Sequence, residues 1–239
     1  MKHTFFAVGV GPGKSAFLTL EALQCLKTVP VIFYPLTDKS DEESHIALDI
    51  ISEKIDLSQK KCIGCHFSMT RNEKKRSVEY QELCEKIEAE LEKNDVAFIT
   101  IGDVSLYSSG GRLAAILKER GCRVKFVSGI TSFSLAASLC GIELAQRDEE
   151  IRIIPGDAYF KSGKIRALLL EEGCKIFMKS PLHLKEIIDE VKSLEKLEKS
   201  YLVINAGKKN EKIFLGRDLQ ELPDEVYEKS YMAVLIVKS

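Results

Sequence analysis

The sequence predicts an α/β protein of two domains, and three observations predict it. Short apolar runs rich in β-branched and aromatic residues alternate with amphipathic helical segments from Thr4 to Gly141, the pattern of a mostly parallel sheet with helices on its faces. A polar stretch, Glu143 to Glu150, then interrupts the alternation and reads as a linker. Finally, the chain closes on three strands, Tyr201–Asn205, Lys212–Leu215 and Tyr231–Val237, with no long helix between them. Strands in such succession pair antiparallel, so the second sheet should be mixed. The expected domains are residues 1–143 and 147–239.

Thr4 to Val10 reads as a first buried strand, followed by a glycine turn and a helix from Ser15 to Lys27 with Leu18, Leu20, Leu23 and Leu26 on an apolar face. Val29–Tyr34 is a second strand, Glu43–Ile55 a second helix and Lys61–Phe67 a third strand. Glu73–Lys93 is a long charged helix whose core stripe is Val78, Leu83, Ile87 and Leu91. The strand Val96–Ile101 breaks at Gly102-Asp103, and a helix restarts from about Leu106 to Arg120, with Gly121 at its C-cap. Arg123–Val127 is a strand and Thr131–Cys140 a short helix of small apolar residues. Beyond the linker come strand Ile151–Ile154, helix Ser162–Glu172, strand Lys175–Met178 and helix Leu184–Leu197.

Composition excludes several classes of function. The 35 basic and 36 acidic residues of the 239-residue chain nearly cancel, giving no global attraction to nucleic acid or an anionic membrane. No segment approaches the ~18 apolar residues of a membrane span. The apolar run after Met1 is too short for a signal peptide and meets glycine at once. Seven cysteines, an odd number without framework spacing, point to reduced thiols and a cytoplasmic protein.

The stretch from Ala97 to Ser109 organises the chain, because a strand ending at Gly-Asp before a helix leaves N–H groups and a carboxylate at the carboxyl edge of a sheet. Ligands of open α/β sheets bind at that edge; an ordinary βα turn has the same composition. Gly9-Val10-Gly11-Pro12-Gly13-Lys14-Ser15 lies between strand and helix, where glycine loops hold phosphates. It lacks the first glycine of a P-loop, whose place is taken by Val8, and the third glycine of the dinucleotide pattern, whose place is taken by Lys14. Cys62-Ile63-Gly64-Cys65-His66 matches the haem-attachment pattern in letters but alternates as a strand, and no second Cys/His pair follows at zinc spacing, so no metal is expected. Lys74, Lys75 and Arg76 put positive charge at a helix start, against the macrodipole, which fits either a solvated face or an anionic partner. No Ser/His/Asp set and no pair of carboxylates stands out, so the residues offer no general base or nucleophile.

Taken together, VGVGPGKSAFLTLEAL, TIGDVSLYSS, VSGITSFSLAAS and the strand end Ile204-Asn205-Ala206-Gly207 resemble the tetrapyrrole methylases, in the same order and along nearly the whole chain. Leu106-Tyr107-Ser108, Phe67-Ser68-Met69-Thr70-Arg71 and Gly129-Ile130-Thr131-Ser132 look most like the members that methylate C-20 of precorrin-2 or cobalt-factor II in cobalamin biosynthesis. The resemblance implies two α/β domains with the active site in the cleft between them, a homodimer, and S-adenosylmethionine (SAM) as methyl donor, leaving S-adenosylhomocysteine (SAH). It implies that Pro12 lines the cleft, that Gly102, Asp103, Val104 and Leu106 hold the methionine end, and that Thr131 and Ser132 contact the cofactor from the next loop. Met178, Ala206 and Gly207 would pack around the adenosine. Arg71, Lys75 and Tyr107 are the candidate contacts to the tetrapyrrole. Members of the family often have proline where this chain has Val104 and Ser128. Another methylation position, a diphthine-synthase-like role on a protein, and more remotely a P-loop-like nucleotide-binding protein or a non-catalytic scaffold remain the alternatives.

Overall fold

The computed structural model describes residues 2–36, 45–67, 72–228 and 230–239. Contacts group the chain into two compact units, Met1–Thr131 and Ser132–Ser239.

The first unit holds five strands, β1 (Thr4–Gly9), β2 (Val31–Leu36), β3 (Lys61–His66), β4 (Val96–Thr100) and β5 (Arg123–Val127), in the order β3-β2-β4-β1-β5. Every pairing among them is parallel. Their connections run through α1 (Leu20–Thr28), α2 (Ile46–Ser52), α3 (Glu73–Leu91) and α4 (Ser109–Glu119). The continuous apolar runs of the central strands follow from burial on both faces. Phe5, Ala7, Val31, Phe33, Val96 and Phe98 point into a core shared with α3 and α4. Their strand neighbours Val8, Ile32, Ala97 and Ile99 point the other way, into a core shared with α1 and α2.

The second unit begins with α5 (Ser132–Cys140) and continues through β6 (Ile151–Pro155), α6 (Gly156–Phe160), α7 (Ile165–Leu170), β7 (Cys174–Met178), α8 (Leu184–Ser193), β8 (Ser200–Ile204), β9 (Lys212–Leu215), α9 (Asp224–Glu228) and β10 (Ala233–Val237). Its sheet is ordered β6-β7-β10-β8-β9. The β6–β7 pair is parallel and the other three pairs are antiparallel, the mixed sheet that three late strands require. Helices α7 and α8 supply Ile165, Leu168, Leu169, Ile187, Ile188 and Val191 to one core with Phe177, Leu202, Ile204 and Leu235. Helix α5 packs on β8, β9 and β10, so its contacts place it with the second sheet although it precedes the polar stretch Glu143–Glu150.

Two expected helices differ in extent. Residues Ser15–Phe17 form a single 3-10 turn, and α1 begins only at Leu20, because Thr19 takes an extended conformation and its side chain accepts the Ala22 N–H. The helix expected from Ser162 to Glu172 is shorter, α7 beginning only at Ile165 beyond Gly163 at φ +70°, and the short α6 before it was not expected. Where Gly121 was expected to end a helix, it does: its N–H reaches the Lys118 carbonyl and the Cys122 N–H the Leu117 carbonyl, at φ +82°.

Lys175 is the largest polar side chain in the core, 1% exposed on β7. Its ammonium is held by the carbonyls of Glu171, Glu172 (2.9 Å) and Gly173 (3.1 Å), just past the end of α7, where a cation complements the helix dipole.

Candidate functional site at the carboxyl edges of the two sheets

At the carboxyl edge of the first sheet, three strand ends meet backbone to backbone. Gly11 and Gly102 bond reciprocally, N–H to carbonyl, at 3.2 and 2.9 Å. A Cβ on Gly9 would lie 2.6 Å from the Gly102 carbonyl oxygen and 2.7 Å from the Gly129 nitrogen. One on Gly129 would lie 2.7 Å from the Gly9 carbonyl carbon and closer still to that Gly102 oxygen. Only glycine permits this approach. Gly102 itself stands at φ +75°, and a Cβ there would meet nothing nearer than the Ile130 carbonyl oxygen at 4.0 Å.

Asp103, 9% exposed, fastens this edge. One carboxylate oxygen accepts the Ser105 N–H (2.8 Å) and the Ser105 hydroxyl, and the other accepts the Gly129 N–H (2.8 Å). It thereby ties the loop after β4 to the loop after β5. Burial pushes this carboxyl up, but the hydrogen bonds from Ser105, Gly129 and Val104 outweigh it and hold the group below the usual carboxylate range. Both oxygens accept protein N–H or O–H groups, so the carboxylate acts as a strut between the two loops.

The second sheet repeats the device. The carboxyl ends of β6, β7 and β8 lie along one edge. Asp157, following Gly156 at the end of β6, accepts the N–H groups of Leu182 and His183, both at 3.1 Å on the same oxygen. Gly156 lies so near the loop after β7 that a Cβ there would stand 2.8 Å from Ser180 Cβ. Lys179 and Asn205, the residues that follow β7 and β8, are left-handed at φ +52° and +54°. Asparagine tolerates that region and lysine does so at a cost.

The residues picked from sequence distribute over these two edges. Gly102, Asp103 and the buried Pro12 belong to the first edge, and Thr131 follows its Gly129 loop by two positions. Val104 is 1% exposed with its side chain in the core, so only its backbone faces the turn. Leu106 is half-buried, and Tyr107 is 44% exposed at φ +51°, with burial of its phenol pushing its pKa up. Ser132 opens α5. Met178, Ala206 and Gly207 lie at the second edge, the first half-buried and the other two buried. Lys75 is exposed in the first turn of α3, its N–H capped by Asn72. Arg71 lies outside the described residues.

Sequence reasoning gave no role of their own to Ser105, Gly129 and Asp157. A signal existed for the last: Gly-Asp follows an apolar strand twice, at Gly102-Asp103 and at Gly156-Asp157. The glycine–lysine–serine turn is no phosphate cradle. The Gly11 N–H is engaged by Gly102, the Ser15 hydroxyl donates to Glu53, and the first α-helix starts five residues beyond Ser15. Cys62 and Cys65 are strand residues of β3, and burial pushes the Cys65 thiol up to about 12.

Comparison with known proteins adds to this geometry. Residues 4–223 match the profile described as Tetrapyrrole (Corrin/Porphyrin) Methylases. The chain is 31% identical over 233 residues, 98% of its own length and 95% of the other's, to a protein of Methanocaldococcus jannaschii named "Probable cobalt-precorrin-2 C(20)-methyltransferase". Its fold is that of the cobalt precorrin-4 methyltransferase CbiF (TM-score 0.72, 18% identity, 98% and 94% of the two chains). It is also that of uroporphyrin-III C-methyltransferase from Thermus thermophilus, solved with SAH (TM-score 0.65, 20% identity, 98% and 97% of the two chains). Among the described residues no helix is long and apolar enough to cross a membrane.

Proposed function

Because the chain belongs to the tetrapyrrole (corrin/porphyrin) methylases, a family of methyltransferases that includes those of cobalamin biosynthesis, we propose that it transfers a methyl group from SAM to C-20 of precorrin-2 or cobalt-factor II. The observation that carries the choice of substrate is the 31% identity, over nearly the full length of both chains, with the M. jannaschii protein of that name.

The first edge fits such a donor in one respect that the structure supplies. It is a glycine-built, side-chain-poor surface, stiffened by the Asp103 strut and backed by the buried Pro12. Gly102, Asp103, Val104 (through its backbone) and Leu106 would hold the methionine end, Pro12, Thr131 and Ser132 its flank, and Met178, Ala206 and Gly207 the adenosine. SAM brings a methyl group already activated on a sulfonium, and a meso carbon of a reduced tetrapyrrole is electron-rich. The transfer is an in-line displacement in which that carbon gains the methyl and loses its proton. The protein's part is orientation, which can supply roughly 7–11 kcal/mol. This accounts for a site without a catalytic triad. Asp103 in this reading positions the donor and takes no proton. Lys75, Tyr107 and Arg71 would meet the acceptor. A cytoplasmic homodimer is part of the same reading.

The test is anaerobic incubation of the protein with SAM and either acceptor, read by mass spectrometry and NMR. One added methyl at C-20 is expected, and the preferred acceptor settles whether cobalt is present. SAH binding without transfer to either acceptor would discard this substrate and leave the family; a methyl at another carbon would replace C-20.

A further inference from the structure

The arginines among the described residues divide into two groups. Arg120, Arg152, Arg166 and Arg217 each pair with a glutamate: Glu88, Glu171, Glu190 and Glu198. Arg123 and Arg147 show no such pair, nor do Arg76 and Arg112: among the described residues no carboxylate pairs with either of the last two. Both stand at the carboxyl edge of the first sheet, because α3 enters β4 and α4 leaves it, so that both helices start at that edge. Arg76 is in the first turn of α3 and half-buried, beside the exposed Lys74 and Lys75. Three cations in a first turn oppose the helix dipole, and only Glu73 there favours it.

One helical turn beyond Arg76 and on the same face lies Tyr80, 5% exposed. Its ring is fixed by Phe67 at 5.3 Å, which in turn meets Phe98 edge-on at 6.0 Å. The Arg112 guanidinium, from the start of α4, lies over this ring with its central carbon 4.6 Å from the centroid. A guanidinium over a ring face spends no N–H donor on a carboxylate, and Arg112 is exposed, so its donors are open to another partner. A planar fork held this way has little conformational freedom to lose when it binds a carboxylate in bidentate fashion.

We infer that Arg112, seated on Tyr80 and assisted by Arg76, anchors a carboxylate arm of a polycarboxylate acceptor. The inference rests on the tetrapyrrole reading for the identity of that acceptor, whose ring carries acetate and propionate arms. It adds a pair of residues, on α3 and α4, that select for acidic side chains independently of where the methyl group is placed. The contrast within α4 supports it: Arg120, near the other end of the helix, is tied to Glu88 at 2.6 Å, whereas Arg112 is directed by an aromatic ring and keeps its donors.

The experiment is a fluorescence-quenching titration of the full chain with uroporphyrin III, a stable octacarboxylate, run beside calorimetry with SAH. R112A is expected to weaken uroporphyrin binding by roughly 10- to 100-fold, the range for a lost charge-assisted hydrogen bond. R112K, which keeps the charge and loses the fork, should fall between R112A and the native chain. Adding R76A to R112A should weaken binding further and reduce its dependence on salt. SAH affinity and melting temperature should stay at the native values in all three. An unchanged uroporphyrin affinity in R112A, with native binding intact, would overturn the anchor and leave the tetrapyrrole reading standing. Weak binding of uroporphyrin by the native chain, alongside tight SAH binding, would overturn the anchor together with the acidic acceptor. R112K as weak as R112A supports the fork over the charge; R112K as strong as native overturns the fork.

Discussion

The dipeptide Gly-Asp ends an apolar strand in each unit, and the two copies are used differently. At Gly102-Asp103 it is the glycine's carbonyl oxygen that is closed in by backbone: Gly9 and Gly129 approach it within distances that admit no Cβ on either. The aspartate spans two loops with both of its oxygens. At Gly156-Asp157 the glycine packs on a side chain, Ser180, and one aspartate oxygen takes both N–H groups at 3.1 Å, the other lying 3.4 Å from Leu182 N. Lys179 and Asn205, which follow β7 and β8 along the same edge, are left-handed. The first edge is therefore closed by backbone against backbone, and the second by a glycine against a side chain. The same two letters give either, because the neighbouring strand end decides what the aspartate can reach.

The largest effect that would break this contrast is at Gly129. G129A must displace backbone on two strands, and a loss of about 3 kcal/mol or outright failure to fold is expected in urea denaturation. G156A should cost less, since Ser180 and the Ile187 terminus can shift. Equal losses would mean that the two edges are equally rigid. Next comes D103N, in which the amide nitrogen cannot accept, so that Ser105 or Gly129 loses its partner at a cost of about 1–3 kcal/mol. D157N keeps the one oxygen that accepts both N–H groups and should cost under about 1 kcal/mol. If D157N proved the costlier of the two, the one-oxygen description of Asp157 would be wrong.

The pH dependence sharpens the same point. The folded Asp103 carboxyl titrates below its unfolded value of about 3.9, so its stabilisation is complete above that value and is lost as pH falls through the folded one. The stability gap between native protein and D103N should accordingly narrow on acidification from pH 7 to pH 3. A constant gap would show that the strut does not depend on charge.

Two glycine replacements give the smallest effects. K179G should stabilise by about 1 kcal/mol by relieving the left-handed backbone at the second edge. A loss instead would show that the Lys179 side chain contributes more than its strain costs. E195G is the control away from both edges. Glu195 ends α8 at φ +56°, with its N–H on Lys192 and the next N–H on Val191, so glycine should gain about 0.5–1 kcal/mol there. Chevron or equilibrium denaturation resolves both.

Much of this architecture was legible in the residues because it depends on local periodicity. Phe5-Phe6-Ala7-Val8 and Val96-Ala97-Phe98-Ile99 could only be doubly buried strands, and the late strands Tyr201, Lys212 and Tyr231 onward could only pair antiparallel. Gly102-Asp103 was legible as the end of a strand at the carboxyl edge of the sheet for the same reason: a strand had to stop there. The break at Thr19 was present in the sequence too, but apolar periodicity on either side outweighed it. What only the tertiary structure decided is which distant groups meet. Asp103 and Gly129 are joined across β1, and Arg112 and Tyr80 across the gap between two helices. Such pairs leave no periodic trace, because a hydrogen bond or a stacked cation requires one residue of the right kind at each end and constrains nothing in between.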